Sequence, residues 1–260
     1  MSILNQIRGK EEPKASRRRF VDSILILLLG ISLGTFSKFL DCTPSNELPA
    51  FLESLDVRNF LGRLAFWVVL GVWISVRSNS AVRASLNVFL FFFGMVASYY
   101  LYSWFVAGFF PKSYAMIWIG IAALSPLLAF GCWYAVGKSK TSFVLSLFII
   151  AVLFQMTFAF GWLYIAVRSA LELVVFLLAI LILKRDSVKG TVMLAVSGSL
   201  LGWCMGLLSP FRFKIKTRSG RIIPAAASFY TVCFFVGSWE IITPAKTRPQ
   251  PESSRGVMVL

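Results

Sequence analysis

The sequence contains no histidine, only 11 Asp and Glu, and 4 cysteines scattered over 260 residues. Without histidine there is no imidazole base, and the commonest neutral metal ligand is missing. Cys42, Cys132, Cys204 and Cys233 form no C-x-x-C pair, which leaves no zinc site or redox dithiol. Three of them fall within apolar blocks, where they read as small hydrophobes. H-E-x-x-H and Walker A motifs are also absent. No catalytic residue, metal site or cofactor is therefore expected, and an intramembrane enzyme is a distant alternative. Charge is scarce, at 14% of residues against about a quarter in a soluble domain. That scarcity excludes soluble globular folds, disorder and disulfide-rich scaffolds.

What is present is apolar: 58% of residues are hydrophobic, 15% are aromatic and mean hydropathy is +0.78. The apolar residues come in blocks of about twenty, the length that crosses a hydrocarbon core of about 30 Å as a helix. An all-α polytopic transmembrane bundle is expected. The net charge of +15 would point to nucleic acid in a soluble protein. Here the basic residues sit in short segments between apolar blocks, so they read as a topology signal and an attraction to anionic lipid headgroups. No basic face interleaved with aromatic residues supports a nucleic-acid partner.

Residues 1–20 form a basic tail that the positive-inside rule places in the cytoplasm. Ser16-Arg17-Arg18-Arg19-Phe20 looks like a twin-arginine export signal. No A-x-A site follows, and Asp41 before Cys42 disfavours lipoprotein cleavage, so an uncleaved first helix is expected. The transmembrane region is read as 21–243, with spans near 21–40, 59–76, 84–108, 114–136, 141–160, 167–183, 191–208 and 222–242. Residues 244–260 read as a disordered tail. Over the first six spans, four inward segments hold thirteen Lys and Arg, while the outward segment Asp41 to Asp56 holds four carboxylates and no basic residue. Beyond residue 190 the alternation fails, because a crossing at 191–208 would expose Arg212, Lys214, Lys216, Arg218 and Arg221. About eight spans are expected; the alternative is seven, with 191–208 re-entrant and in need of protein cover for its amides. The strict alternation from Phe211 to Lys216 argues for an extended ribbon, with an irregular basic loop as the alternative.

A charge in hydrocarbon costs about 3 kcal/mol or more, so polar groups at span ends should face one another or a wet cavity. Lys38, Asp41, Arg63, Arg168 and Glu172 all fall at outer span ends, as does Lys112. With Tyr99, Tyr102 and the deeper Gln155 they suggest an outward-facing polar vestibule. Lys38 with Asp41, and Arg168 with Glu172, have the spacing to pair locally on a helix. The plainer reading is that the cations snorkel and the pairs staple helix ends. Ser125-Pro126 marks a kink that frees a carbonyl one turn earlier. Asn87 reads as a residue that satisfies backbone or solvent. Gly30 and Gly34, and Gly198, Gly202 and Gly206, form small-residue faces for close helix packing, within the chain or against a membrane-protein partner.

At Gly30 to Asp41, Asn87 to Phe92, Ser98 to Ser103 and Phe109 to Tyr114 the chain resembles a family of small, uncharacterised bacterial polytopic membrane proteins. The likeness covers roughly the first half and fades after Lys140. It implies a bacterial inner-membrane protein, and it implies no activity, so no functional residue is carried over. Two functions remain: binding or translocation of a small polar, anionic or amphipathic molecule through the vestibule, or a membrane-embedded scaffold without substrate. The topology predicts that an impermeant thiol reagent applied from outside modifies a cysteine placed at Ser45 and not one at Ser80; the reverse pattern would overturn it.

Overall fold

The computed structural model describes residues 7–8, 16–44, 47–161 and 164–208, together with the backbone of 212–216 and 222–226. Five of its helices are long and apolar enough to cross a membrane. They are α1 (Ser16–Cys42), α5 (Ala81–Phe105), α6 (Lys112–Trp133, continued by the 3₁₀ turn Tyr134–Val136), α7 (Lys140–Thr157) and α9 (Val188–Leu208). Each coincides with one expected span.

Two of the remaining three expected spans are shorter than anticipated. Helix α4 (Leu64–Arg77) has 14 residues and α8 (Ala170–Ile182) has 13, about 21 and 20 Å of helix. Two short helices, α2 (Ala50–Ser54) and α3 (Val57–Gly62), precede α4, and Arg63 breaks the chain between α3 and α4 in an extended conformation. Between α7 and α8 runs a small antiparallel hairpin of β1 (Phe158–Phe160) and β2 (Ile165–Val167), which takes up the last three residues of the expected span 141–160 and the first of the span 167–183. Its β-branched and aromatic residues suit an extended chain as well as a helix, so hydropathy alone does not separate the two.

The count of about eight spans is not confirmed: the described residues hold five long and two short apolar helices. Residues 191–208 lie inside one uninterrupted helix and contain no turn by which to re-enter. A second antiparallel hairpin joins β3 (Arg212–Lys216) to β4 (Ile222–Ala226), the extended ribbon of the two alternatives, and it occupies the start of the expected span at 222–242. The rest of that span, the tail 244–260, and 1–6 and 9–15 of the basic tail lie outside the described residues.

Helix α1 packs most extensively on α5, followed by α9 on α7 and α5 on α6, while the short α4 sits among α5, α6, α7 and α8. Glycine explains the first two contacts. A Cβ on Gly30 or Gly34 would collide with the carbonyl oxygens of Phe91 and Met95 on α5, and one on Gly94 would lie 2.8 Å from that of Leu27 on α1. Gly202 approaches Ala151 and Gly198 meets Ile150 on α7, while Gly206 abuts the Phe160 ring. These small-residue faces are thus used inside the chain, where close backbone approach replaces the hydrophobic drive that lipid does not provide.

One end of the bundle is tied by arginines that serve the unpaired carbonyls of helix C-termini. Arg8 donates to Trp133 O at 2.8 Å and Val76 O at 3.1 Å, with its guanidinium 4.5 Å from the Trp133 ring. Arg185 donates to Gly137 O at 2.6 Å, and burial pulls its guanidinium below the ordinary value while Asp186 opposes that shift. Arg83 reaches Arg19 O and Ser23 Oγ, and Ser23 donates to Asn87 Oδ1, whose amide donates in turn to Ser78. Asn87 therefore joins α1, α5 and the end of α4 in one network. The carbonyl that Pro126 leaves without its helical partner, that of Ala122, accepts from the Ser125 hydroxyl at 2.8 Å. The carbonyl freed by the proline is thereby satisfied by the residue before it.

Because backbone oxygens block the space at Gly30 and Gly34, Gly30→Ala and Gly34→Ala should each destabilise the bundle by about 1–3 kcal/mol. Gly120, with nothing within 4 Å, should accept Ala without loss. Equilibrium unfolding in a fixed detergent or bilayer checks this, and equal effects at all three sites would refute the close α1–α5 packing.

Candidate functional site

The end of the bundle opposite Arg8 and Arg185 carries two polar clusters. The first forms where α1 finishes beside α5. The Tyr99 hydroxyl donates to Asp41 Oδ2 at 2.5 Å. Lys38, one turn earlier on α1, is only 5% exposed, and its ammonium lies 4.9 Å from the Tyr99 ring and 4.7 Å from the Phe109 ring. A buried cation between two aromatic faces keeps electrostatic partners after losing water, so Lys38 does not need to snorkel. Arg58 donates to the carbonyls of Asp41 at 2.7 Å and Thr43 at 3.5 Å, which caps the C-terminus of α1. Beside this cluster lies a cavity of about 30 Å³, room for about one water, bounded by Ser37, Asp41, Trp67, Val96, Tyr99, Tyr100 and Tyr114 among others. Of the described residues, Asp41 is the only charged one in its lining.

The second cluster joins the two short helices. Arg63 stands at the α3–α4 break, where the Trp67 indole donates to Leu61 O at 2.7 Å and the Arg63 amide to Phe60 O at 3.1 Å. Its Nη1 lies 3.1 Å from Oε1 of Glu172, which is fully buried in the first turn of α8, and its Nη2 lies 3.9 Å from Asp56 Oδ2. The Arg63–Glu172 pair is close but not aligned as a hydrogen bond.

The structure therefore groups Lys38, Asp41 and Tyr99 in one cluster, and Arg63 with Glu172 in another. Neither Lys38 nor Arg63 lines the cavity beside Asp41. Arg168 is exposed, its amide bonded to Thr157 O at 3.0 Å, and Glu172 takes its ion pair from Arg63 at the α3–α4 break rather than from Arg168 one turn away. Tyr102 and Gln155 are half-buried and line neither this cavity nor the groove described below, and Lys112 is exposed. Arg58 has no signal in the sequence, and nothing in the spacing of Asp56, Phe109 and Tyr114 ties them to residues of other helices. Gly30-Ile31-Ser32-Leu33-Gly34 has the spelling of a nucleophile elbow, yet it lies inside α1, and an elbow requires a strand-to-helix turn.

A larger, apolar groove of about 650 Å³ runs between α5 and α6. Buried Val96, Tyr100 and Ala122 form its floor, and the exposed Phe89, Phe93, Leu101, Trp104 and Ile119 its sides. From Phe89 to Trp104 it follows α5 for about 22 Å. Val96 and Tyr100 line both this groove and the cavity beside Asp41.

No family model, curated protein or solved structure matches the chain. Its class is consequently defined by its own architecture: a helical bundle whose five long apolar helices are compatible with an integral membrane protein.

Removing the Tyr99 hydroxyl leaves a partly buried carboxylate without its donor, a loss of about 1–3 kcal/mol. Tyr99→Phe should lower the thermal midpoint measurably and Tyr102→Phe should not, as followed by unfolding in detergent. Equal midpoints for the two variants would contradict the Tyr99–Asp41 bond.

Proposed function

We propose that the chain is an integral protein of a bacterial inner membrane, its N-terminus and arginine-tied end in the cytoplasm. At the outer end it binds an amphipathic molecule, with the apolar part in the α5–α6 groove and the polar head toward Asp41. One observation carries this reading: Val96 and Tyr100 form the floor of a lipid-sized groove and the wall of a polar cavity at once. The groove is as long as an acyl chain, and about 0.8 kcal/mol per buried methylene rewards its filling. At the head end a carboxylate and three tyrosines favour a head that donates hydrogen bonds, an amine or a polyol, over the anion suggested by the basic residues at the outer span ends. An aminophospholipid has both parts. The scaffold alternative called for an exposed glycine face, and the glycines at 30, 34, 198 and 202 face α5 and α7 instead.

The test uses the full chain in phosphatidylcholine vesicles doped with phosphatidylethanolamine bearing a photoactivatable acyl chain. Labelling should concentrate on Phe93, Ala97 and Ala123. Asp41→Asn should reduce it about fivefold or more, the equivalent of about 1 kcal/mol, and Ala123→Trp should abolish it by filling the groove. A phosphatidylglycerol probe should label less. Labelling spread evenly over all lipid-facing helices, or unchanged in both variants, would overturn the proposal.

A further inference from the structure

Glu172 is the single charge of α8, and it is fully buried. Neither carboxylate oxygen has an aligned hydrogen-bond partner among the described residues, and neither does Arg63 Nη1, although Nη1 and Oε1 are 3.1 Å apart. A permanent staple between two helices is normally a fork, with both oxygens met by parallel N–H groups. Here the ionised form is supported by the nearby Arg63 and Arg168 charges without an aligned hydrogen bond, and burial of a carboxylate bonded in this way is costly.

The surroundings of Glu172 are sparse. From α4 comes Arg63; from the segment after β2 comes Arg168, a more distant positive charge. From the end of α7 comes Thr157, a neutral group whose hydroxyl donates to the Glu172 backbone carbonyl at 3.4 Å. Arg63 itself has a second anion within reach, Asp56, whose side chain is 49% exposed and 3.9 Å from Nη2. Asp56 holds a left-handed backbone at φ 51°, immediately before α3. A single guanidinium therefore stands at a helix break between a buried carboxylate and a solvent-facing one.

We propose that Glu172 is a proton-binding site within the bundle, exchanging its proton with the outer aqueous phase past Arg63 and Asp56. The step is a simple protonation: hydronium gives a proton to a Glu172 carboxylate oxygen, one O–H bond forms, and water is released. Arg63 stays charged throughout and carries no proton to Glu172; it only changes partner. When Glu172 is neutral the attraction between α4 and α8 is lost, and Arg63 turns fully to Asp56. The α3–α4 junction then loosens, because the extended residue at the break is the one released. This inference makes no use of the amphiphile reading, and its test contains no ligand.

The experiment is infrared difference spectroscopy of the full chain in phosphatidylcholine nanodiscs, between about pH 8 and about pH 5, a window in which exposed carboxylates stay mostly ionised. A carbonyl stretch from a protonated, buried carboxyl should appear at the acid end, vanish in Glu172→Gln and persist in Asp56→Asn. Should Glu172→Gln fail to fold, ¹³C-labelled glutamate in the unaltered chain carries the same test: the band must shift with labelled glutamate and not with labelled aspartate. Amide exchange at residues 60–66 should quicken over the same pH range. No band, a band that survives Glu172→Gln, or a band that shifts with labelled aspartate would overturn the proposal.

Discussion

A helix of 13 or 14 residues is about 20 Å long and cannot by itself bridge a hydrocarbon core of about 30 Å. Helices α4 and α8 are both of this length, and they pack against each other. The arrangement of the bundle end that carries Arg63 and Glu172 follows from that deficit. The chain before α4 is folded into α2 and α3, and the chain before α8 into a hairpin, so the backbone polar groups there find partners within the protein. The amide of Arg63 bonds to Phe60, the indole of Trp67 to Leu61, and the amide of Arg168 to Thr157. Where the two N-termini meet, Arg63 supplies the charge that lets Glu172 be buried.

The two ends of the bundle use cations differently. At one end Arg8, Arg83 and Arg185 bond to backbone carbonyls across helices, which fixes the helix ends and consumes the donors. At the other, Lys38 lies between aromatic rings and Arg63 between carboxylates, where the charges remain responsive to what approaches. Rigidity at one end and a groove, a cavity and an unaligned ion pair at the other set up an asymmetric molecule. In a bilayer the floor of the groove at Val96 and Tyr100 connects the lipid-facing side to the polar interior.

Long apolar runs were legible in the sequence because a continuous helix and a hydropathy peak are the same signal, and α1, α5, α6, α7 and α9 fall where they were expected. The breaks were not. Arg63 lies inside an apolar run whose average hides one charged residue, and β1–β2 is too short for its period to stand out from the helices beside it. Local spacing suggested Lys38 with Asp41 and Arg168 with Glu172, since i,i+3 and i,i+4 are the only neighbours a linear sequence reveals. The structure gives Asp41 a tyrosine from α5 and Glu172 an arginine from α4. Glycine faces were legible, and their partners, α5 and α7, were not, because close approach needs space on one helix and an unobstructed backbone on the other.

The dependence of this end of the bundle on one cross-helix pair is tested most directly by a double-mutant cycle on Arg63 and Glu172, read as unfolding free energy in a single bilayer composition. Arg63→Gln leaves the buried Glu172 charge uncompensated and should cost about 3–5 kcal/mol, whereas Glu172→Gln leaves the part-exposed Arg63 with Asp56 and should cost less. The double variant should cost less than the sum of the two by at least about 1 kcal/mol. Effects that add to within about 0.5 kcal/mol would show that the two residues act separately, and would contradict the account.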